Sequence, residues 1–119
     1  MTTQPQHEIV GVLAGLATSD MDRGIDWLTM VLGREPTARP MPILADWALG
    51  AAGTLQLVHD AERAGGSMVT LQVADLAAVA ERLADRGLEF PYDETTSQRV
   101  KFAQLTDPDG NSVTLVEAK

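Results

Sequence analysis

Cysteine is absent from this 119-residue chain, which excludes disulfides, thiolate metal sites and cysteine nucleophiles at the outset. Histidine occurs only twice, at His7 and His59, so no site can be rich in imidazole. Aromatic residues make up 4% of the chain, leaving Leu, Val and Ala to build the core. Basic residues are in deficit, 9 against 17 acidic, for a net charge of −8. A nucleic-acid domain needs a basic face, and this surface would repel the polyanion. A neutral or cationic small molecule suits it better. No apolar run approaches the roughly 18 residues of a membrane span, and Met1–Glu8 is polar without a basic-then-apolar leader pattern. A cytoplasmic protein with no membrane and no nucleic-acid partner is therefore expected. What remains, 45% hydrophobic and 22% charged, is the composition of one globular domain.

Hydrophobic period and punctuation divide the chain into elements. Ile9–Thr18 is apolar and interrupted by Gly11 and Gly15, as in a buried strand that something approaches closely. Ser19 or Asp20 can cap a helix whose Met21, Ile25, Leu28 and Leu32 share a face, with Gly33 as its stop. Pro36, Pro40 and Pro42 restrict the next segment to an edge strand or loop. Leu44–Leu49 and Thr54–His59, separated by glycines, read as a hairpin. After the linker Asp60–Gly66 the order starts again. Met68–Val73 reads as a strand, and Asp75 caps a helix ending at Gly87. Leu88–Tyr92, Val100–Thr106 and Ser112–Glu117 read as three further strands, the last two joined by the turn Asp107-Pro108-Asp109-Gly110-Asn111. Asp20 and Asp75 stand 55 residues apart, and each opens the same capped helix with a glycine stop. The expectation is an internal repeat of one strand, one helix and three strands within a single domain: module 1 over about 8–60, a linker over about 61–66 and module 2 over about 67–117.

Three segments carry a family resemblance: Thr18-Ser19-Asp20-Met21 leading to Val31-Leu32-Gly33, Val73-Ala74-Asp75-Leu76 leading to Arg86-Gly87-Leu88-Glu89, and Asp107-Pro108-Asp109-Gly110-Asn111 before a C-terminal apolar strand. With them the chain resembles the vicinal oxygen chelate superfamily, the group of glyoxalases, bleomycin resistance proteins and extradiol dioxygenases. The resemblance spans Ile9 to Glu117 and implies an α+β fold of two βαβββ modules whose mixed sheet curls into a cup, usually in a homodimer. In metal-binding relatives the cup holds a divalent ion on His and Glu side chains. The four matching positions here are Leu13, Gln56, Met68 and Thr114. None supplies the carboxylate or imidazole such an ion requires, and only Gln56 offers a neutral oxygen. His59 falls on the opposite strand face from Gln56, and His7 lies in the polar tail. No catalytic residue, metal or cofactor is assigned.

If strand parity turns those four positions inward, Gly15 and Thr70 join them in a lining that is small and apolar with a few amides and hydroxyls. Trp47 either packs in the core or stacks against a ligand, and Phe102 has the same two readings. Trp27, on the first helix, reads as core. Glu117 reads as a solvent-facing strand end, and Asp93–Gln98 as a loop. Three functions follow. The first is a metal-free protein that binds a small organic, cationic ligand, as the drug-sequestering resistance proteins do. The second is a lyase, isomerase or dioxygenase-type enzyme of the same superfamily. The third is a scaffold or partner-binding module whose cup Leu13 and Met68 fill.

Overall fold

The computed structural model describes residues 8–119; His7 lies outside them. The first module runs β1 (Leu13–Thr18), α1 (Met21–Leu32), β2 (Ala38–Met41), β3 (Leu44–Ala48) and β4 (Thr54–His59). The second runs β5 (Met68–Gln72), α2 (Leu76–Ala84), β6 (Val100–Thr106) and β7 (Ser112–Ala118). Both helices start as the sequence requires. Asp20 Oδ1 accepts from Arg23 N at 3.1 Å and Asp75 Oδ1 accepts from Ala78 N at 3.0 Å, each satisfying an otherwise orphaned amide of the first turn. Gly33, at φ 74°, ends α1. The second helix stops at Ala84, short of the expected Gly87, and Leu88 N closes back onto Leu83 O.

The strands form two sheets rather than one, of order β1-β4-β3-β2 and β5-β7-β6. In each, a parallel pair, β1 with β4 and β5 with β7, is spanned by a helical crossover, and an antiparallel strand follows. The proline-rich segment supplies β2 at an outer edge, where Pro40 costs no ladder bond. The expected strand Leu88–Tyr92 does not form. Pro91 lacks a donor, and the Asp93 carboxylate takes the Thr95 and Thr96 amides in a local turn, so only an Asp93–Phe102 bridge remains. The second module is thus βαββ rather than βαβββ. Ile9, Val10 and Val12 likewise precede β1 as exposed, non-strand chain, where a buried strand was expected.

Each sheet buries one face beneath its helix. Leu16, Trp47, Leu55 and Leu57 meet Leu28 and Val31 of α1, while Leu71, Ala103, Leu105, Val113 and Leu115 join Leu76 and Leu83 of α2 in the same buried cluster. Each such leucine is worth roughly 1.5–3 kcal/mol of burial. Gly24 lets α1 lie close: a Cβ there would stand 2.8 Å from Leu57 Cδ2 and 3.1 Å from Thr18 Oγ1. Glu117, expected to face solvent, instead accepts from the first amide of α2 at Leu76, 2.6 Å away, and lies 3.5 Å from Lys101 Nζ.

Candidate functional site

Strand register decides which side chains share the face turned away from the helices. On the first sheet Leu13, Gly15 and Ala17 align with Thr54, Gln56 and Val58, and these with Ala48, Asp46 and Leu44. On the second, Met68, Thr70 and Gln72 align with Ser112, Thr114 and Val116, and these with Thr106, Gln104 and Phe102. This is the surface the sequence assigns to the cup. Seven of the eight candidate residues fall on it: Leu13, Gly15, Gln56, Met68, Thr70, Phe102 and Thr114.

Trp47 does not. It pairs with Leu55 on the opposite face, is wholly buried, and donates its indole N–H to Arg34 O at 3.0 Å. A strand alternates sides with every residue, so the position that buries Trp47 turns Asp46 to the cup. Of its two readings, packing is the one this burial fits, the polar end of the ring satisfied by a backbone carbonyl, so Trp47 leaves the list of cup-lining residues.

The cup face is open. Met68 is 79% exposed and Leu13 54%, and nothing lies within 4 Å of a Cβ built on Gly15. Phe102 sits at one side beside Tyr92 and Asp93, in a shallow hollow that Gln104 also lines. Asp93 is held well below the ordinary carboxylate range, at about 2, by the Thr96 hydroxyl and the Thr96 and Thr95 amides. Asp46, which the sequence reading passed over, is the only ionisable residue among those of β1 and β3–β7 that face the cup. Gln56 Nε2 donates to Asp46 Oδ1 at 3.0 Å, which fixes the amide and leaves Oδ2 without a protein donor among the described residues. Strand parity around Gln56, carried across one antiparallel pair, was the signal that could have found it.

The residues present do not fit a divalent ion. Leucine and methionine at two positions and a neutral hydroxyl at the third leave only the Gln56 amide oxygen and the neighbouring Asp46 carboxylate, too few donors for a divalent ion's coordination sphere. Among the described residues no three His, Asp or Glu side chains come together elsewhere in a metal-binding group.

The Asp-Pro-Asp-Gly-Asn turn has a role that sequence did not reveal: it fastens the modules together. Asn111 is fully buried, and all four of its side-chain hydrogen-bonding capacities are used. Its Oδ1 accepts from Gly65 N and Ser67 N, each at 2.9 Å, and its Nδ2 donates to Ala17 O at 2.7 Å and Asp107 Oδ2 at 2.8 Å. Asp109 accepts from Thr18 Oγ1 and Ser19 Oγ, both at 2.5 Å, from Ser19 N at 3.1 Å and from Arg23 Nη2 at 3.3 Å. Burial pushes the Asp109 carboxyl up, but the Ser19 and Thr18 hydroxyls, the Ser19 amide and the Arg23 guanidinium together hold it below its ordinary value. Gly65, at φ 93°, leaves room for Asp109 O, which a Cβ would meet at 2.7 Å.

Paired parallel–antiparallel sheets under crossover helices, with an open polar-apolar face behind them, define a cup fold of duplicated modules. The model of the glyoxalase/bleomycin resistance protein/dioxygenase superfamily matches residues 9–115, and the chain belongs to that superfamily. A glyoxalase/bleomycin resistance protein from Catenulispora acidiphila is 34% identical, over 93% of this chain and 100% of that one, with a TM-score of 0.84. TnmS3, an antibiotic binding protein from Streptomyces sp. CB03234, is 25% identical over 96% of this chain and 100% of its own, with a TM-score of 0.77. A lactoylglutathione lyase from Agrobacterium tumefaciens shares the fold at 18% identity, with 94% and 95% of the two chains covered and a TM-score of 0.65. No curated protein matches the chain.

Proposed function

We propose that this chain is a metal-free small-molecule-binding protein of the superfamily, one that holds an organic ligand in the cup and sequesters it. The observation that carries the reading is the composition of the cup face: apolar and hydroxyl groups at the expected metal positions, and one carboxylate, Asp46, braced by Gln56. That carboxylate is the only charge among the residues of β1 and β3–β7 that face the cup, and with Asp93 and Glu94 at the Phe102 side it favours a cationic group on the ligand. The printed description of TnmS3 as an antibiotic binding protein supports a drug-sized ligand.

The cup is completed, on this reading, by a second copy of the chain. The chain is elongated, 55 × 40 × 24 Å, with a radius of gyration of 15.9 Å where a compact domain of this length has about 13–14 Å. Leu13 and Met68 expose apolar surface on the cup side, and Ile9, Val10 and Val12, in the chain leading into β1, are exposed as well.

The deciding experiment incubates the protein with Mn, Ni, Zn and Fe(II), dialyses it exhaustively, measures metal by mass spectrometry, and then titrates a panel of cationic, neutral and anionic aromatic drugs. No retained metal, a dimer by light scattering, and saturable binding of a cationic member that Asp46→Asn weakens about tenfold are expected. A stoichiometric ion would overturn the reading in favour of the lyase or dioxygenase class. A metal-free protein that binds nothing in the panel would overturn it in favour of a scaffold.

A further inference from the structure

The two sheets meet along the facing edges of β1 and β5, and this seam is closed at one end only. Ala17 donates its amide to Ser67 Oγ at 3.0 Å and accepts from Asn111 Nδ2 at its carbonyl. Strand alternation then aims the backbone groups of Leu13 and Gly15 into the seam as well. On β5 the Ser67 carbonyl and the Val73 amide bond to β7, so Thr70 and Gln72 turn their backbone groups toward β1. Among the described residues no hydrogen bond crosses the seam at these four positions. The seam widens there into a cavity of about 590 Å³, a volume suited to a drug-sized molecule.

This cavity touches the cup face at Thr54, Thr70 and Gln72 but lies mostly behind it, on the helix side of the sheets. Its walls include Val31 of α1, Val79 of α2 and Leu71, residues of the helix-facing side. Its charge also runs against that of the chain. Arg34 and Arg82 line it and no Asp or Glu does, although acidic residues outnumber basic ones almost two to one overall. The two arginines are not equivalent. Arg82 donates Nη1 to Met30 O at 2.8 Å and Nη2 to Val31 O at 2.7 Å, closing the end of α1. Arg34 has no side-chain hydrogen bond or ion pair among the described residues, and only its carbonyl is engaged, by Trp47.

We propose that the cavity is a second small-molecule site, separate from the Asp46–Gln56 pair of the cup, and that it takes a small organic anion: a carboxylate on an aryl or alkyl body. The apolar walls suit the body, while Arg34 and the unpaired edge amides of β1 and β5 supply donors for the charged head.

The test titrates the intact protein with 1-naphthoate and, separately, with 1-naphthylmethylammonium, which has a similar ring and the opposite charge. Binding is followed by calorimetry and by amide NMR. Naphthoate should bind saturably, shift the amides of Gly15, Gly53, Thr70 and Gln72, and weaken about tenfold in Arg34→Gln. Val79→Trp, which fills the cavity, should abolish its binding, whereas Asp46→Asn should leave it unchanged. Equal binding of the two probes, full affinity in Arg34→Gln, or shifts confined to the surroundings of Asp46 would each overturn the proposal. The last two outcomes leave the reading of the cup intact, so failure of this site and failure of that one are distinguishable.

Discussion

At the Ala17 end of the seam between the modules, the facing backbone groups and the side chains beside them are paired; at the Gly15 end, none of the backbone groups aimed across the gap is bonded across it. The difference lies in two turns at matching places in the repeat. The turn before β7 carries Asp109 and Asn111, which reach over to β1, the start of α1 and the linker, while Asp107 braces Asn111 within the turn. The turn before β4 is Leu49-Gly50-Ala51-Ala52-Gly53, which has no polar side chain to reach with, and Leu49 and Gly53 line the cavity instead. Duplication supplies two similar modules. Polar residues in one turn alone make one junction a latch and leave the other as a pocket.

The comparison can be broken most severely at Asn111. Replacing it with Leu leaves the amides of Gly65 and Ser67 and the carbonyl of Ala17 buried without partners, and should cost about 3–5 kcal/mol in urea denaturation. Arg82→Met, at the helix clamp beside the open end, keeps much of the side-chain volume but frees the Met30 and Val31 carbonyls. A loss of about 1–2 kcal/mol is expected by the same assay, smaller because water reaches this site.

Asp109→Asn sharpens the contrast through pH. The Asp109 carboxyl is held below its unfolded value, so its contribution is complete at neutral pH and is lost as pH falls from the ordinary carboxylate range, about 4, through the folded value. The variant should lose about 1–2 kcal/mol at pH 7 and show a flatter acid limb below pH 5 in stability measured against pH. Smallest in stability is Gly15→Trp, on the open cup side, where the added ring meets nothing within 4 Å of its Cβ. Its denaturation midpoint should move by less than about 0.5 kcal/mol equivalent, while binding of a cup ligand in equilibrium dialysis should be lost.

Much of the fold was legible because it rests on local chemistry. Asp20, Asp75 and Gly33 mark helix ends through hydrogen bonds made within a few residues, and Pro36, Pro40 and Pro42 mark an edge through a missing donor. The lost strand at Leu88–Tyr92 shows the limit: its apolar run resembles a strand, but its outcome turned on Pro91 and on Asp93 capturing two amides. Of the cup, Leu13, Gly15, Gln56, Met68, Thr70, Phe102 and Thr114 were reachable by counting along strands. Trp47 was not, because its side depends on pairing with Leu55, a partner in another strand. Asp46 was missed for the same reason.

The sequence by itself determined the repeated order of elements, both helix starts and the stop of α1, the family and the replacement of metal-ligand residue types, because period, capping and residue chemistry are properties of the chain. Only the tertiary structure decided that Asp46 stands beside Gln56, that Asn111 spans the modules, and that two arginines line a gap in an acidic protein. Each of these depends on residues distant in sequence, or on opposite sides of a strand pair, being brought within a few ångströms by packing.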